Sequence, residues 1–269
     1  MSASDEVVNA PGADAAVLET NDHGVVTLRL NRPKTMNAFG PDVKAFFETR
    51  VPVLVADPEV RCLLIIGSGK AFCAGGDIRT MRDRDPIAVK SRMERTYSWA
   101  RPLMEGNTPV VTAINGIAAG AGLALALMGD IAIASTGATF RAGFTKIGVC
   151  PDLGVAHLLP RAVGAQRARN LLLTNRIIDS NEAAHIGLVS SVVSEERLLD
   201  EATLVANALA NGPSMATALT RMLIRRSFET SWSSFLETET LAQVAAFNTA
   251  DQLEGVDAFL SKRQPDFRP

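Results

Sequence analysis

Two glycine-bearing stretches of this 269-residue chain have the make-up of a site that works through its backbone. The first is Ala74-Gly75-Gly76, ahead of Asp77 in AFCAGGDIRTM, and the second is Gly120-Ala121-Gly122 in GAGLALALMGD. Each follows an apolar, strand-like run and opens a segment of helical period. The first N–H groups of a helix lack intrahelical partners and carry partial positive charge. Small residues let a ligand oxygen come close to them, so two facing loops would offer two donors to one developing oxyanion. Plain strand-to-helix turns, where glycine is common, account for the same spacing, and both readings stay open on spacing alone.

The elements that must position these loops follow from periodicity. AVLETNDHGVVTLRLNRP alternates around a turn at Asn21–Gly24 and predicts a hairpin ending at Pro33. MNAFGPDVKAFFETRVPVLVAD has helical period, with Ala45, Phe46, Val51 and Leu54 expected on one side. VRCLLIIGSG, VVTAINGIA and IAIAS read as strands buried on both faces, and a helix is expected through IAVKSRMERTYSWARPLME. Strand, glycine loop and helix recur, which argues for stacked units with parallel strands and an α/β fold class. From PRAVGAQRARNLLLTN onward helical patterns dominate, apart from GLVSSVV. The expected organisation is a flexible leader over 1–15, an α/β core over 16–195 and a helical region over 196–269.

Composition narrows the function classes. With 47% hydrophobic and 21% charged residues the chain has material for a sizeable core. A formal net charge of -2, without a basic stripe, argues against nucleic acid as a partner. Pro109 to Gly129 is apolar, but its glycines and the following Asp130 make it buried core rather than a membrane span. Cys62, Cys73 and Cys150 are few and set in apolar surroundings, which favours a reducing cytoplasm over a disulfide framework. GAGLAL lacks the third glycine of a dinucleotide fingerprint, GSGKA lacks the flanks of a phosphate loop, and no G-x-S-x-G elbow occurs. His23, His157 and His185 are scattered without metal-ligand spacing, so no metal is expected.

The segments LNRPKTMNAF, GSGKAFCAGGDI, AINGIAAGAGLALALMGDIAIA and FTKIGVCPDLGVAHLLPRAVGAQRARNLLLT resemble, in order, the motifs of the crotonase superfamily, the enoyl-CoA hydratases and isomerases. The resemblance runs from about Val17 to Phe267. It implies a crotonase-like spiral of β-β-α units with a helical C-terminal trimerisation region, acyl-CoA thioester substrates, no separate cofactor, and a homotrimer or dimer of trimers. It also implies an oxyanion hole whose donors fall on Gly76 and Ala121.

The hydratases of this family use two glutamates, and the matching positions here hold Ala124 and Phe144, neither of which carries a proton. That weighs against simple water addition. An oxyanion hole moves no proton, so a positioned base is still needed. Asp152, in GVCPDLG, is the candidate: Pro151 and Gly154 suggest a turn that presents its side chain, and Val149, Cys150 and Leu153 would desolvate it. The same aspartate would equally serve as the N-cap of a helix beginning near Gly154. FTKIGVCPDLGVAHLLPR is similar to the isomerase branch acting on ring-epoxidised phenylacetyl-CoA, in which an aspartate in this setting is the acid/base; Val155 replaces that branch's usual second glycine. The resemblance therefore implies an isomerase that shifts a double bond through an enolate. A hydratase, or a CoA-ester-binding member with little catalysis, is the alternative.

The remaining acids have bland readings. Asp77 is expected to fix its loop, Asp130 to tie down chain, and Glu182 and Glu195 to lie on solvated stretches. The resemblance places Lys34, Ala74, Asp77, Ile78, Arg79 and Phe144 around the substrate and its CoA entrance. It places Phe259 and Lys262, in GVDAFLSKRQPDF, at the nucleotide end across a subunit boundary.

Overall fold

The computed structural model describes residues 14–82 and 84–268, so most of the expected leader, residues 1–13, lies outside the described residues. Asp14 and Ala15 are held by their carbonyls, which accept hydrogen bonds from Arg32 and Asn31.

Strands β1 (Val17–Asp22) and β2 (Val25–Leu30) form the antiparallel hairpin expected at Asn21–Gly24. His23 and Gly24 take φ of 49° and 84°, the two-residue turn whose twist matches the flanking strands. The chain continues through α1 (Pro41–Ala56), β3 (Cys62–Gly67), β4 (Ala71–Cys73), α2 (Pro86–Glu105), β5 (Val110–Ile114), β6 (Ile117–Ala119) and α3 (Ala121–Leu127). Next come β7 (Ile131–Ser135), β8 (Thr139–Arg141), α4 (Val155–Val163), α5 (Ala165–Thr174), β9 (Ile178–Asp179), α6 (Ser180–His185) and β10 (Ser191–Val193). Four helices close it: α7 (Leu198–Ala210), α8 (Ser214–Arg226), α9 (Trp232–Phe247) and α10 (Ala250–Leu260).

Each turn of the chain adds one strand to each of two sheets. The larger sheet runs β1-β2-β3-β5-β7-β10 and the smaller runs β4-β6-β8-β9. From β2 to β10 the larger sheet is parallel, as are β4-β6-β8, which makes a spiral of β-β-α units. Side chains alternate between two cores. Leu63 and Ile65 of β3 face one, while Leu64 and Ile66 face the other under the Ala202, Ala206 and Ala210 stripe of α7. The corners are pinned by side-chain amides. Asn115 Nδ2 donates to the Gly69 carbonyl at 2.7 Å and its Oδ1 accepts from Gly67 N–H at 3.0 Å. Asn37, fully buried, donates to the Ala71 carbonyl at 2.7 Å and accepts from Arg32 N–H at 2.8 Å.

Three expectations are corrected. The buried stripe of α1 is Val43, Phe47, Val51 and Leu54; Ala45 is exposed and Phe46 half-buried, because Phe47 packs on Trp99 with ring centroids 4.9 Å apart. The first glycine loop opens only a 3₁₀ turn, Ile78–Thr80, and α2 begins later at Pro86. Strands β8 and β9 are too short to show a period in sequence.

Among the described residues no helix is long and apolar enough to cross a membrane. Asp130 does tie down chain: it accepts hydrogen bonds from Val110 N–H and from Arg221 Nε of α8, each at 2.8 Å. Beyond that anchor, α8–α10 expose Ile224, Trp232, Leu241, Phe247 and Phe259.

Candidate active site

The parallel pairing of β4 with β6 sends both glycine loops out from the same, C-terminal end of the strands of the smaller sheet. The loops touch. A Cβ built on Gly75, whose φ is 108°, would stand 3.0 Å from the Ala119 carbonyl oxygen and 3.8 Å from Gly120 Cα. Only glycine allows this approach. At Gly122 the built Cβ would lie 2.0 Å from the Cys73 carbonyl oxygen, so the first turn of α3 rests directly on the β4 backbone.

Hydrogen bonding divides the loop amides into two kinds. Ala74 N–H donates to the Met36 carbonyl at 2.9 Å, and Gly120 N–H donates to the Arg141 and Ala142 carbonyls, each at 3.1 Å. Those bonds hold the loops. The N–H groups of Gly76 and of Ala121, the first residue of α3, donate to nothing among the described residues. Ala121 keeps a negative φ, because the left-handed conformation falls on Gly120 at 52°. Two unpaired donors on touching loops, one at a helix start, can both serve a single oxyanion. The Phe39–Gly75 hydrogen bond, at 2.7 Å, leads straight into α1 and fixes that helix against the first loop.

Asp152 lies in the loop before α4. Its side chain does not cap that helix: the N-cap is Gly154, and what Val155 N–H reaches, at 3.0 Å, is the Asp152 backbone carbonyl. Leu153 is held at φ 51°, a strained conformation for a branched side chain, and is buried. Of the three residues expected to desolvate Asp152, only Leu153 is buried; Val149 and Cys150 are exposed. Cys62 and Cys73 are buried, as their apolar surroundings imply, and Cys150 is the exception. Burial pushes the Asp152 carboxyl above its ordinary value; a hydrogen bond from its own backbone, and then the charges of Lys44 of α1 and Arg92 of α2, pull it back down in part.

The two positions where the resemblance places glutamates are sealed. Ala124 is fully buried in α3, and Phe144 is 7% exposed within the main core. A cleft of 480 Å³ opens beside the first loop, lined by Ile78, Met81, Arg82, Arg84, Ile147 and Val149. Asp77 fixes its loop as expected, accepting from Arg79 N–H at 3.0 Å and from its guanidinium at 2.9 and 2.8 Å. Arg79 thereby commits two of its side-chain nitrogens to Asp77, although the side chain is exposed. Lys34 is exposed on the 3₁₀ turn Pro33–Thr35.

Phe259 and Lys262 are exposed at the end of α10, and no hydrogen bond or ion pair among the described residues joins them to the loops. The tail after them folds back on α10 and on the β1–β2 turn instead, with Arg263 paired to Glu254 at 2.5 Å and Arg268 donating to the His23 carbonyl. Among the described residues no group of three His, Cys, Asp or Glu side chains is placed to hold a metal ion. The sequence reading missed Lys44, Arg92 and Tyr97, all of which act on Asp152 or feel its charge. It also missed Met81, whose side chain covers Gly76. Their contribution arises from packing between helices and loops far apart in the chain, and no local motif marks it.

Comparison with known proteins agrees with this arrangement. Residues 20–269 match the model of the enoyl-CoA hydratase/isomerase family. The chain is 38% identical over 256 residues to the 1,2-epoxyphenylacetyl-CoA isomerase of Escherichia coli K12, covering 93% of this chain and 97% of that one. It is 33% identical to the crotonyl-CoA hydratase of Syntrophomonas wolfei, with coverage of 93% and 97%. Among solved structures, an enoyl-CoA hydratase/isomerase from Cupriavidus metallidurans CH34 superposes with a TM-score of 0.88 at 32% identity, over 94% of this chain and 96% of that one. With its β-β-α spiral and its touching glycine loops, this chain belongs to the enoyl-CoA hydratase/isomerase family of the crotonase superfamily.

Proposed function

We propose that the protein is an acyl-CoA thioester isomerase, with Gly76 and Ala121 N–H holding the thioester oxygen and Asp152 as the single acid/base. The observation that carries this reading is that Asp152 is half-buried and its side chain caps no helix, while Ala124 and Phe144 fill the two other acid positions with apolar core. The Asp152 carboxylate removes a proton from C2 of a 3-enoyl thioester, the electrons move onto the thioester oxygen between the two N–H donors, and the carboxyl so formed, free to exchange with solvent, delivers a proton at C4. The negative charge passes from Asp152 to the thioester oxygen and back. One carboxylate suffices, since nothing but a proton moves. Losing either oxyanion donor typically costs about 10²–10³ in rate, so the base and the hole share the barrier.

Ile78 and Phe144 would pack beside the acyl group, Ala74 and Asp77 would shape the loop around it, and Lys34 and Arg79 would meet CoA phosphates as charge-assisted donors. Phe259 and Lys262 would reach a neighbouring subunit's nucleotide, and the exposed apolar face of α8–α10 supports assembly as a homotrimer or dimer of trimers. Coenzyme A enters as part of the substrate, no further cofactor is invoked, and the cytoplasm is the proposed location.

A hydratase reading is favoured by the similarity to the crotonyl-CoA hydratase. In it Asp152 would activate a water rather than shuttle a proton. Turnover of 3-enoyl, 2-enoyl and ring-type CoA thioesters in deuterated water separates the two. Deuterium at C2 or C4 with a shifted double bond supports the isomerase; a 3-hydroxyacyl product overturns it in favour of the hydratase. Binding without exchange on any of them would leave a CoA-ester-binding protein.

A further inference from the structure

The 480 Å³ cleft beside the first glycine loop has a divided lining. Four of its residues are apolar: Ile78 and Met81 follow the first loop, and Ile147 and Val149 belong to the stretch that leads to Asp152. Ile78, Ile147 and Val149 are exposed, so hydrocarbon from two separate segments stands open to water around one space. The other two lining residues are Arg82 and Arg84. The cleft is also tied to the oxyanion hole, because the Met81 methyl lies where a Cβ on Gly76 would stand.

The arginines after the first loop differ in what they hold. Arg79 is taken up by Asp77, at 2.8 Å. Arg82 and Arg84 are exposed and make no hydrogen bond or ion pair among the described residues. The same stretch carries Asp83 and Asp85, and Asp85 accepts from Ala88 N–H at 3.0 Å as the cap of α2. A guanidinium recognises paired anionic oxygens, those of a carboxylate or a phosphate. The apolar walls favour one source. A pantetheine arm brings two amides that need partners, and the side chains of Ile78, Met81, Ile147 and Val149 offer none. A hydrocarbon chain needs none and gains by leaving water.

We infer that this cleft takes an acyl group ending in a carboxylate, with its hydrocarbon against Ile78, Met81, Ile147 and Val149 and its far carboxylate on Arg82 and Arg84. The inference names a substrate class for the site and rests on the reading of Gly76 and Ala121 as the thioester donors. A neutral chain end would leave both guanidinium groups to water. A charged end exchanges that hydration for charge-assisted hydrogen bonds, which raises selectivity for the dicarboxylic thioester over its neutral analogue.

The test uses the whole protein and saturated thioesters, which have no double bond to shift. Butanedioyl-, hexanedioyl- and octanedioyl-CoA are each compared with the corresponding terminal amide, with Kd read by calorimetry. For at least one length the carboxylate is expected to bind about 10-fold or more tighter than the amide, and added salt should shrink the ratio. Arg82→Gln and Arg84→Gln should each lower that ratio, and the double variant should bring it to parity. The double lysine variant should keep only part of it, because an ammonium does not clamp a carboxylate bidentately. Parity in wild type at every length, as neutralisation of the pair by Asp83 would give, overturns the inference. A ratio unmoved in the double glutamine variant does the same. Equal weakening of carboxylate and amide in that variant, absent when the same acyl groups are carried on pantetheine, assigns the arginines to CoA phosphates and also overturns it. Turnover of 3-enoyl thioesters with and without the far carboxylate is read separately. Arginine-dependent preference without a double-bond shift leaves the cleft's role standing while the isomerase reading fails; a shift without preference has the reverse meaning.

Discussion

The Cε methyl of Met81 fills the space over Gly76: a Cβ built on that glycine would stand 2.4 Å from it. The obstruction is the free end of a flexible side chain, so Gly76→Ala should displace Met81 and leave the fold intact, at a cost of about 1 kcal/mol. The displaced thioether has the 480 Å³ cleft to move into, where it would compete with the acyl chain. Turnover is expected to fall by about 10-fold or more, short of the roughly 10²–10³ for losing a donor outright, because the substitution keeps the backbone N–H at that position. Adding Met81→Ala should restore most of it. Kinetics of the four proteins in a double-mutant cycle measure this, and absence of rescue would place the damage in the backbone instead.

Asp152→Asn separates a base from a cap by the sign of its effect on stability. Burial holds the folded-state pKa of Asp152 above its ordinary 3.8. A raised value favours the protonated form in the fold, so its stabilisation is full below 3.8 and is lost as pH rises through the folded value. At pH 7 the ionised carboxylate is therefore a burden, and Asp152→Asn should unfold at an equal or higher temperature there, with the difference vanishing in acid. Turnover should fall by several powers of ten with CoA-ester binding kept. A capping role predicts the opposite at pH 7, a loss of about 0.5–2 kcal/mol.

Much of this site was legible because its chemistry is carried by backbone and by local spacing. The turn at Asn21–Gly24, the doubly buried run ending at Gly67 and the two glycine loops are all local patterns, and the structure has each in place, although the first loop opens a 3₁₀ turn where a helix was expected. The charges of Lys44 and Arg92 were not legible as partners of Asp152, because they act on it from α1 and α2, far from the Asp152 loop in sequence. The face of α1 was misjudged for a related reason: Phe46 and Phe47 are equally apolar, and only the position of Trp99 decides which is buried. Cys150 shows the limit of composition, since apolar neighbours in sequence do not bury a residue that sits on a loop.

Two glycines should respond to alanine in different ways. Gly122→Ala would set a methyl 2.0 Å from the Cys73 carbonyl, backbone that cannot yield without lifting α3 off β4. A loss of about 3 kcal/mol or failure to fold is expected. Gly148, at φ 74° with nothing within 4 Å of a built Cβ, carries only conformational strain, and Gly148→Ala should cost about 1 kcal/mol. Urea midpoints of the two variants check the ranking; equal losses would mean that α3 and β4 are less tightly seated than the contact implies.

The three cysteines should react in two stages. Burial pushes the Cys62 and Cys73 thiols to about 12, which leaves almost no thiolate at neutral pH and no access for a reagent. Cys150 is exposed, two residues before Asp152. A thiol reagent at pH 8 should therefore label one site per chain in the native protein and the other two only after unfolding. Because Cys150 shares its loop with Asp152, a bulky maleimide there should suppress turnover, and a bound CoA thioester should slow its attachment. Cys150→Ser should remove both the fast label and the inhibition. Fast labelling that survives Cys150→Ser would instead report opening of the β3 or β4 core, where the other two thiols lie.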